Sequence, residues 1–473
     1  MLFNSFHFAI FFPVVFILYW ALPDKFRVYF ILASSFYFYM SWNAKYIVLI
    51  LFTTIISYYA AILTEKFPRV KKFILIITLI SCLGVLFVFK YFNFFADSLV
   101  KFLSLFTIQL HPVTLRLLLP VGISFYTFQT LSYVIDVYRG DVKAEKNFCA
   151  YAAFVSFFPQ LVAGPIERTS NLLPQIKAPK VFKYEQAMYG LKLTAWGLFK
   201  KVAIADVLAV WVDEVYGNVY AYKGSVLLIA TLFFTIQIYC DFSGYSDIAR
   251  GCAKMMGINL MENFRSPYFS ASIKEFWSRW HISLSTWFRD YVYIPLGGNR
   301  VKPFRHNLNL MITFIISGLW HGANFTFIIW GAVHGAAQVV ENFFTKNKHN
   351  EAHGVIWGLR VLLTFTFCMF AWVFFRAQSI NEALYVFANI FNGAGNFTHY
   401  LHIGFKNIGV NNPMLMHLFI LISTMSLYEQ FPVFGKILHE HKNLRRLAYV
   451  MLGLVIIFFS PKGVVTEFVY FQF

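Results

Sequence analysis

Residues 307–340 read NLNLMITFIISGLWHGANFTFIIWGAVHGAAQVV, a run without one Asp, Glu, Lys or Arg. It is longer than the roughly 20 apolar residues that a helix needs to cross a bilayer, and it carries two histidines, His321 and His334. An imidazole at membrane depth loses its hydration, and lipid offers no replacement hydrogen bonds. Such a group belongs in a protein-lined cavity, where it can move protons near neutral pH. The run points to a helical membrane protein with chemistry inside it.

If the run is helical, Ser317, His321, Asn324 and Ile328 share a face, and Ser317 or Asn324 can hydrogen-bond the imidazole and select its tautomer. Gly318 and Gly322, four apart, permit close approach of another helix or a substrate. His334 lies about 140° around the helix from His321, so one uninterrupted helix does not bring the two together, whereas a break near Gly331 would.

The rest of the chain agrees with a membrane setting. Of its residues 59% are hydrophobic and 13% charged, with 58 Phe, 27 Tyr and 11 Trp, against roughly a quarter charged in soluble domains. Met1–Pro23, Tyr46–Thr64, Phe73–Phe89, Val361–Phe375 and Gly409–Tyr428 carry no Asp, Glu, Lys or Arg. The first of these lacks a basic lead-in and a small-residue cleavage site, so it reads as a retained span. Basic residues at Lys25 and Arg27 and again at Lys66, Arg69, Lys71 and Lys72 flank two apolar segments, near 28–43 and 46–64, which return the chain to the same side. The positive-inside rule puts both clusters in the cytoplasm and the N-terminus outside.

Further basic groups are Lys177/Lys180/Lys183, Lys200/Lys201, Arg300/Lys302/Arg305, Lys346/Lys348 and Lys442/Arg445/Arg446. The formal charge of +18 is thus spread over short connections, where topology and anionic lipid headgroups call for it. It forms no basic stripe for nucleic acid. No low-complexity linker or internal repeat divides the chain, so residues 1–473 are expected to form a single integral membrane domain of about ten to twelve spans or half-spans. Pro120-Val-Gly, Phe158-Pro-Gln, Ala163-Gly-Pro and the glycines at 318 and 322 mark expected breaks or re-entrant turns, which survive at membrane depth only inside protein or along a wet cavity.

A second histidine lies in Glu275-Phe-Trp-Ser-Arg-Trp-His281-Ile-Ser-Leu-Ser. Residues 275–291 read as one amphipathic helix, with Phe276, Trp280, Leu284, Trp287 and Tyr291 on one side and Glu275, Arg279, Ser283, Thr286 and Asp290 on the other. Glu275 and Arg279 are spaced to pair one turn apart. Neither His281 nor His321 fits a metal motif: there is no His-Glu-x-x-His and no second His or Cys one turn from His321. No Gly-x-Ser-x-Gly elbow supports a serine hydrolase. Five scattered cysteines suggest neither zinc nor disulfides. Asp241 and Asp247 lie beside an apolar run, with Arg250 spaced to neutralise Asp247 in a structural pair.

Taken in order, these stretches resemble the membrane-bound O-acyltransferases, and most closely the bacterial branch typified by the membrane protein of alginate O-acetylation. The resemblance rests on Pro120-Val-Gly-Ile-Ser-Phe-Tyr-Thr-Phe-Gln, Phe157-Phe-Pro-Gln-Leu-Val-Ala-Gly-Pro-Ile and Asp241-Phe-Ser-Gly-Tyr-Ser-Asp-Ile-Ala. It continues through Asn263-Phe-Arg-Ser-Pro-Tyr, Phe276-Trp-Ser-Arg-Trp-His-Ile-Ser-Leu-Ser-Thr-Trp-Phe-Arg-Asp-Tyr, Tyr293-Ile-Pro-Leu-Gly-Gly-Asn-Arg and Leu319-Trp-His-Gly-Ala. The C-terminal Phe468-Val-Tyr-Phe-Gln-Phe also resembles that branch's ending. Each motif is weak alone; their order is specific.

The resemblance implies an all-α polytopic fold in which a ring of about ten to twelve transmembrane and re-entrant helices surrounds a thin core, with a funnel to the catalytic histidine. It implies that His321 is that histidine and that His281, at the family's second characteristic position, is the other catalytic candidate, for direct acid–base work or for a structural or substrate-positioning role. Acyl transfer to a hydroxyl needs a base at the attacking oxygen, a role for His321, and a donor to the developing oxyanion. Ser317, Trp320 and Asn324 are the positioning or oxyanion candidates; Arg289, Arg300 and Lys302 are candidates for holding an anionic donor.

No bound cofactor or metal is implied. The implied substrates are an acyl thioester, most simply acetyl-CoA, reached from the cytoplasm, and a polysaccharide acceptor outside. A separate extracytoplasmic acetyltransferase is the implied protein partner, in a bacterial cell membrane whose lipids surround the chain. D-alanyl transfer toward teichoic acid, by a related branch, is the alternative within enzymes. A transporter is the alternative outside them, since broken helices and buried polar groups suit it too.

Overall fold

The computed structural model describes residues 1–108, 110–345, 354–460 and 468–469. The basic pair Lys346/Lys348, the polar connection around it and residues 470–473 of the C-terminal motif lie outside the described residues. Among the described residues the regular structure is helical, without strands. The protein is an all-α polytopic membrane protein.

Among the described residues, four helical runs are long and apolar enough to cross a bilayer: Asp24–Lys66, Pro68–Ser104, Ser225–Met255 and Gly354–Arg376. A fifth candidate is the pair Phe397–Asn407 and Asn412–Gln430, bent by 101°. Phe6–Ala21 is apolar but shorter. The Gly354–Arg376 helix shows why an apolar helix stays exposed in such a protein. Val355, Leu359, Leu362 and Leu363 recur at helical spacing and are 56–80% exposed, whereas Cys368, Trp372 and Phe375 on another face are fully buried. An unpartnered apolar stripe of this kind is stable against lipid and costly against water.

The chain forms two compact units. The first comprises Met1–Thr194 with Ser246–Met261. Its opening helix starts where the Ser5 hydroxyl accepts the Phe8 N–H and stops at Leu22, which Pro23 forces into an extended conformation. The expected breaks around Pro120 and Pro159 are present. Gly122 has φ 75°, and a Cβ there would lie 2.5 Å from the Leu161 carbonyl oxygen, so only glycine admits this approach. The helix ending at Ser156 gives way at Phe157 to the short Phe158–Leu161 turn. Polar side chains satisfy the broken backbone: Gln129 and Gln160 both donate to the Phe154 carbonyl, at 2.8 and 3.1 Å, and the Ser35 hydroxyl accepts the Phe158 N–H. Asp247 meets Arg250 at 3.2 Å, as their spacing suggested.

The second unit comprises Ala195–Tyr245 with Glu262–Phe473. Its core is aromatic, with Trp280, Trp330, Trp372, Tyr216 and Phe234 fully buried. The sequence reading of Lys200 and Lys201 as loop charges needs correction. Both lie buried in the π-helical stretch Phe199–Ala205. Lys201 meets Asp206 at 2.8 Å and Asp241 at 2.6 Å, while Lys200 meets Glu429 at 2.9 Å. Trp196 and Tyr239 also donate to the Glu429 carboxylate. The second oxygen of Asp241 accepts the Val469 N–H at 2.7 Å. Charges so deep are stable only with partners this close.

Candidate active site

The uncharged run 307–340 forms a hairpin. Its first helix is Pro303–His321 and its second is Phe325–Thr345. The break falls at Gly322, in extended backbone (φ −162°, ψ 152°), rather than near Gly331, which lies inside the second helix. A Cβ on Gly322 would lie 2.1 Å from the Phe327 ring, and one on Gly318 would lie 2.2 Å from the Phe327 carbonyl oxygen. The glycines do permit close approach, and the second helix is what approaches.

That fold-back changes which residues meet His321. Asn324 is no longer one turn above it on a continuous helix. Its amide nitrogen donates to the Gln378 carbonyl at 2.8 Å, and its oxygen accepts the Thr326 N–H at 3.1 Å. The amide oxygen thus starts the second helix, and the nitrogen ties it to the segment after Gly354–Arg376, so the printed bonds of Asn324 do not run to the imidazole. Instead, the His321 ring lies edge-on to Trp330 at 5.1 Å, to Phe375 at 5.2 Å and to Trp320 at 4.9 Å between centroids. Trp330 in turn contacts His334 at 5.0 Å, so the hairpin brings the second histidine to within one ring of the first.

Residues 275–291 are not one helix. Ile273–Arg279 and Ile282–Phe288 are separate, because His281 sits between them in left-handed backbone (φ 43°, ψ 54°). A non-glycine residue stays there only when its surroundings impose it. Asn263 supplies much of that constraint. Its carbonyl accepts the Ile282 N–H at 3.0 Å, and its side-chain oxygen accepts the Ser283 hydroxyl at 2.7 Å and N–H at 3.3 Å. Upstream, Ser272 accepts the Glu275 N–H while Glu275 accepts from Ala271, a reciprocal cap. Glu275 pairs with Arg279 at 2.6 Å, as spaced.

The His281 ring is fully buried and contacts Phe242 edge-on at 4.5 Å and Trp320 at 6.2 Å. Trp320 therefore stands between the two motif histidines. Neither His281 ring nitrogen hydrogen-bonds another described residue. Burial pushes its pKa down from 6.5 to about 3, so the ring is neutral in the folded protein.

Beside these rings the second unit holds a cavity of about 700 Å³. Trp277, Phe314 and Ser317 line it, as do Arg289, Tyr293, Asn299, His306, Gln338 and Asn342. Ser317 is one turn from His321, so the cavity reaches the level of that histidine. Of the three basic candidates, Arg289 is on the wall and also meets Asp290 at 2.8 Å; Arg300 and Lys302 are exposed and outside the lining. Among the described residues no three His, Cys, Asp or Glu side chains are grouped as metal ligands.

Sequence reasoning missed His306, Gln338, Asn342 and the Trp330–His334 contact. One signal was available. His334, Gln338 and Asn342 recur every four residues, a polar stripe on a largely apolar helix. The chemistry on offer is that of an imidazole in an aromatic wall beside a mainly apolar cavity that carries a few polar groups, which suits a general base for a hydroxyl nucleophile.

The family model for membrane-bound O-acyltransferases matches residues 143–380. A probable alginate O-acetylase of Pseudomonas aeruginosa is 42% identical over 81% of this chain and 73% of its own length. A peptidoglycan O-acetyltransferase of Helicobacter pylori is 38% identical over 82% of this chain and 79% of its own length. A teichoic acid D-alanyltransferase of Bacillus subtilis is 28% identical over 55% of this chain and 70% of its own length.

Proposed function

The chain belongs to the membrane-bound O-acyltransferase family, and from that footing we propose that it passes an acetyl group from a cytoplasmic thioester, acetyl-CoA, toward a hydroxyl of an extracytoplasmic polysaccharide. His321 is the general base. It takes the hydroxyl proton as the oxygen attacks the thioester carbonyl; the carbon–sulfur bond then breaks, and the thiolate leaves with the proton that His321 returns. Ser317, on the cavity wall one turn away, positions the reacting group, and Trp320, in contact with the His321 ring, shields it from water.

Arg289 faces the same cavity and meets the anionic part of the donor. His281, neutral and buried, positions Trp320 rather than moving a proton. A bacterial cell membrane with the N-terminus outside, and an extracytoplasmic acetyltransferase that completes delivery, fit this reading. The observation that carries it is a buried imidazole at a helix end, one turn from a serine on a cavity wall, in a chain that is 42% identical to a probable alginate O-acetylase.

The test uses vesicles of known orientation containing the protein and its partner, with acetyl-labelled CoA supplied on one face. Label on polysaccharide at the opposite face is expected when acetyl-CoA is cytoplasmic. Label transferred only from a D-alanyl carrier, or only when donor and acceptor share a face, rules the proposal out.

A further inference from the structure

Close to His321, two tryptophans and a histidine carry buried polar nitrogens that no described residue accepts from. The Nε1 atoms of Trp330 and Trp372 and the Nε2 atom of His334 have no hydrogen-bond partner among the described residues, and all three residues are 0% exposed. Their rings are mutual neighbours. Trp330 and Trp372 stack at 5.6 Å, Trp330 and His334 lie at 5.0 Å, and His334 and Trp372 lie at 6.5 Å. The same Trp330 ring meets His321 at 5.1 Å.

One bond sets the His334 tautomer. The Trp277 Nε1–H points to His334 Nδ1 at 3.3 Å. An indole N–H can only donate, so Nδ1 carries a lone pair and the proton is on Nε2. All three orphan atoms are then N–H donors, and no rotation lets donors satisfy one another. A buried donor left unmade is costly, and what satisfies several at once is an oxygen with its lone pairs. In an acyl transfer, the oxygen that gains charge is the carbonyl of the acyl group, and donors fixed in a dry wall stabilise that charge most.

We propose that the Nε2–H of His334, with the Nε1–H groups of Trp330 and Trp372, forms a donor cluster beside His321 that binds the carbonyl oxygen of the acyl group. This rests on the acyl-transfer reading above. As the hydroxyl oxygen bonds to the carbonyl carbon, the π electrons move to the carbonyl oxygen and the cluster holds the resulting oxyanion. Their return reforms the C=O bond and expels the thiolate. A resident water would offer the donors the same oxygen chemistry, and the experiment separates the two.

Two substitutions divide the functions of His334. His334→Gln keeps an N–H donor near the position of Nε2 but loses the acceptor for Trp277. His334→Asn keeps an acceptor near Nδ1 but has nothing at Nε2. In the full chain in proteoliposomes, with acetyl-CoA and acceptor, the Gln variant is expected to retain most of kcat. The Asn variant is expected to lose kcat by roughly 10- to 100-fold with little change in KM, as for an oxyanion donor.

A merely structural His334 predicts the reverse order, because Asn preserves the Trp277 bond; that order, or wild-type kcat in both variants, overturns the proposal. Equal kcat with different thermal midpoints assigns the oxygen to a water and overturns it as well. His321→Ala serves as the reference. If wild type and His321→Ala transfer equally, the parent reading fails and this one with it; a His321-dependent wild type with the wrong order removes the donor cluster alone.

Discussion

Gly318 and Gly331 bring the backbones of two antiparallel helices into contact: a Cβ added to Gly331 would lie 3.3 Å from the Gly318 Cα and 2.3 Å from the Phe314 carbonyl oxygen. This crossing sets how close Trp330, one residue before Gly331, comes to His321. Gly331→Ala must push the helices apart, which is expected to cost about 1–3 kcal/mol, as overpacking does. The thermal midpoint in detergent should fall and activity with it. An alanine variant with unchanged midpoint and turnover would show that the crossing is slack.

Asn263 and His281 yield a pH prediction. His281 remains neutral in the fold down to about pH 3 but titrates near 6.5 when unfolded. Between those values the unfolded chain binds the extra proton, so this contribution to stability is fully present above about pH 6.5 and declines as pH falls. His281→Asn, whose side chain tolerates left-handed backbone, removes that component. Thermal midpoints between pH 7.5 and 5 are expected to decline less steeply in the variant than in the wild type. Parallel slopes would mean that His281 is not held neutral.

The cavity wall distinguishes the three basic candidates. Arg289 lines the cavity, and Arg300 and Lys302 do not. Arg289→Ala is expected to raise KM for an anionic thioester about five-fold with kcat largely kept, matching ~1 kcal/mol for an exposed charge pair. Added salt should reduce the difference. Equal KM changes for Arg300→Ala would move the donor's charge away from this wall.

Lys201 has two carboxylates within 2.8 Å, those of Asp206 and Asp241. Lys201→Met leaves the buried Asp241 carboxylate without its close cation, at an expected cost of about 3–5 kcal/mol, a large part of the ~5–15 kcal/mol that holds a domain together. Folded yield should drop sharply, and Asp241→Asn in the same chain should restore part of it. Restoration is the informative readout, since it separates a charge effect from lost packing.

His281 was legible in the sequence because it sits in an ordered aromatic motif, and His321 because a charged-residue desert makes a polar side chain conspicuous. Membrane character was legible for the same reason, from uncharged runs that became Ile47–Lys66 and Gly354–Arg376. The Glu275–Arg279 pair followed from helical spacing alone. Breaks were legible where proline or glycine marks them, at Pro120, Pro159 and Gly322, and concealed at His281. Periodicity carries 275–291 through His281 as one helix, since a left-handed residue leaves the apolar spacing on either side intact. It also places Asn324 beside His321, although Gly322 has already ended the helix. A continuous helix likewise separates His334 from His321, whereas the hairpin sets both against the ring of Trp330. Lys200 and Lys201 look like loop charges because their partners, Asp241 and Glu429, are far away in sequence.

The assignment on which the rest depends is His321 as the base that activates the hydroxyl. With labelled acetyl-CoA and acceptor in proteoliposomes, His321→Ala is expected to fold with the wild-type thermal midpoint to within ~1–2 °C and to lose acetyl transfer by at least ~100-fold, the scale of removing a general base. Acetyl transfer at the wild-type rate by that folded variant would mean that another group removes the proton.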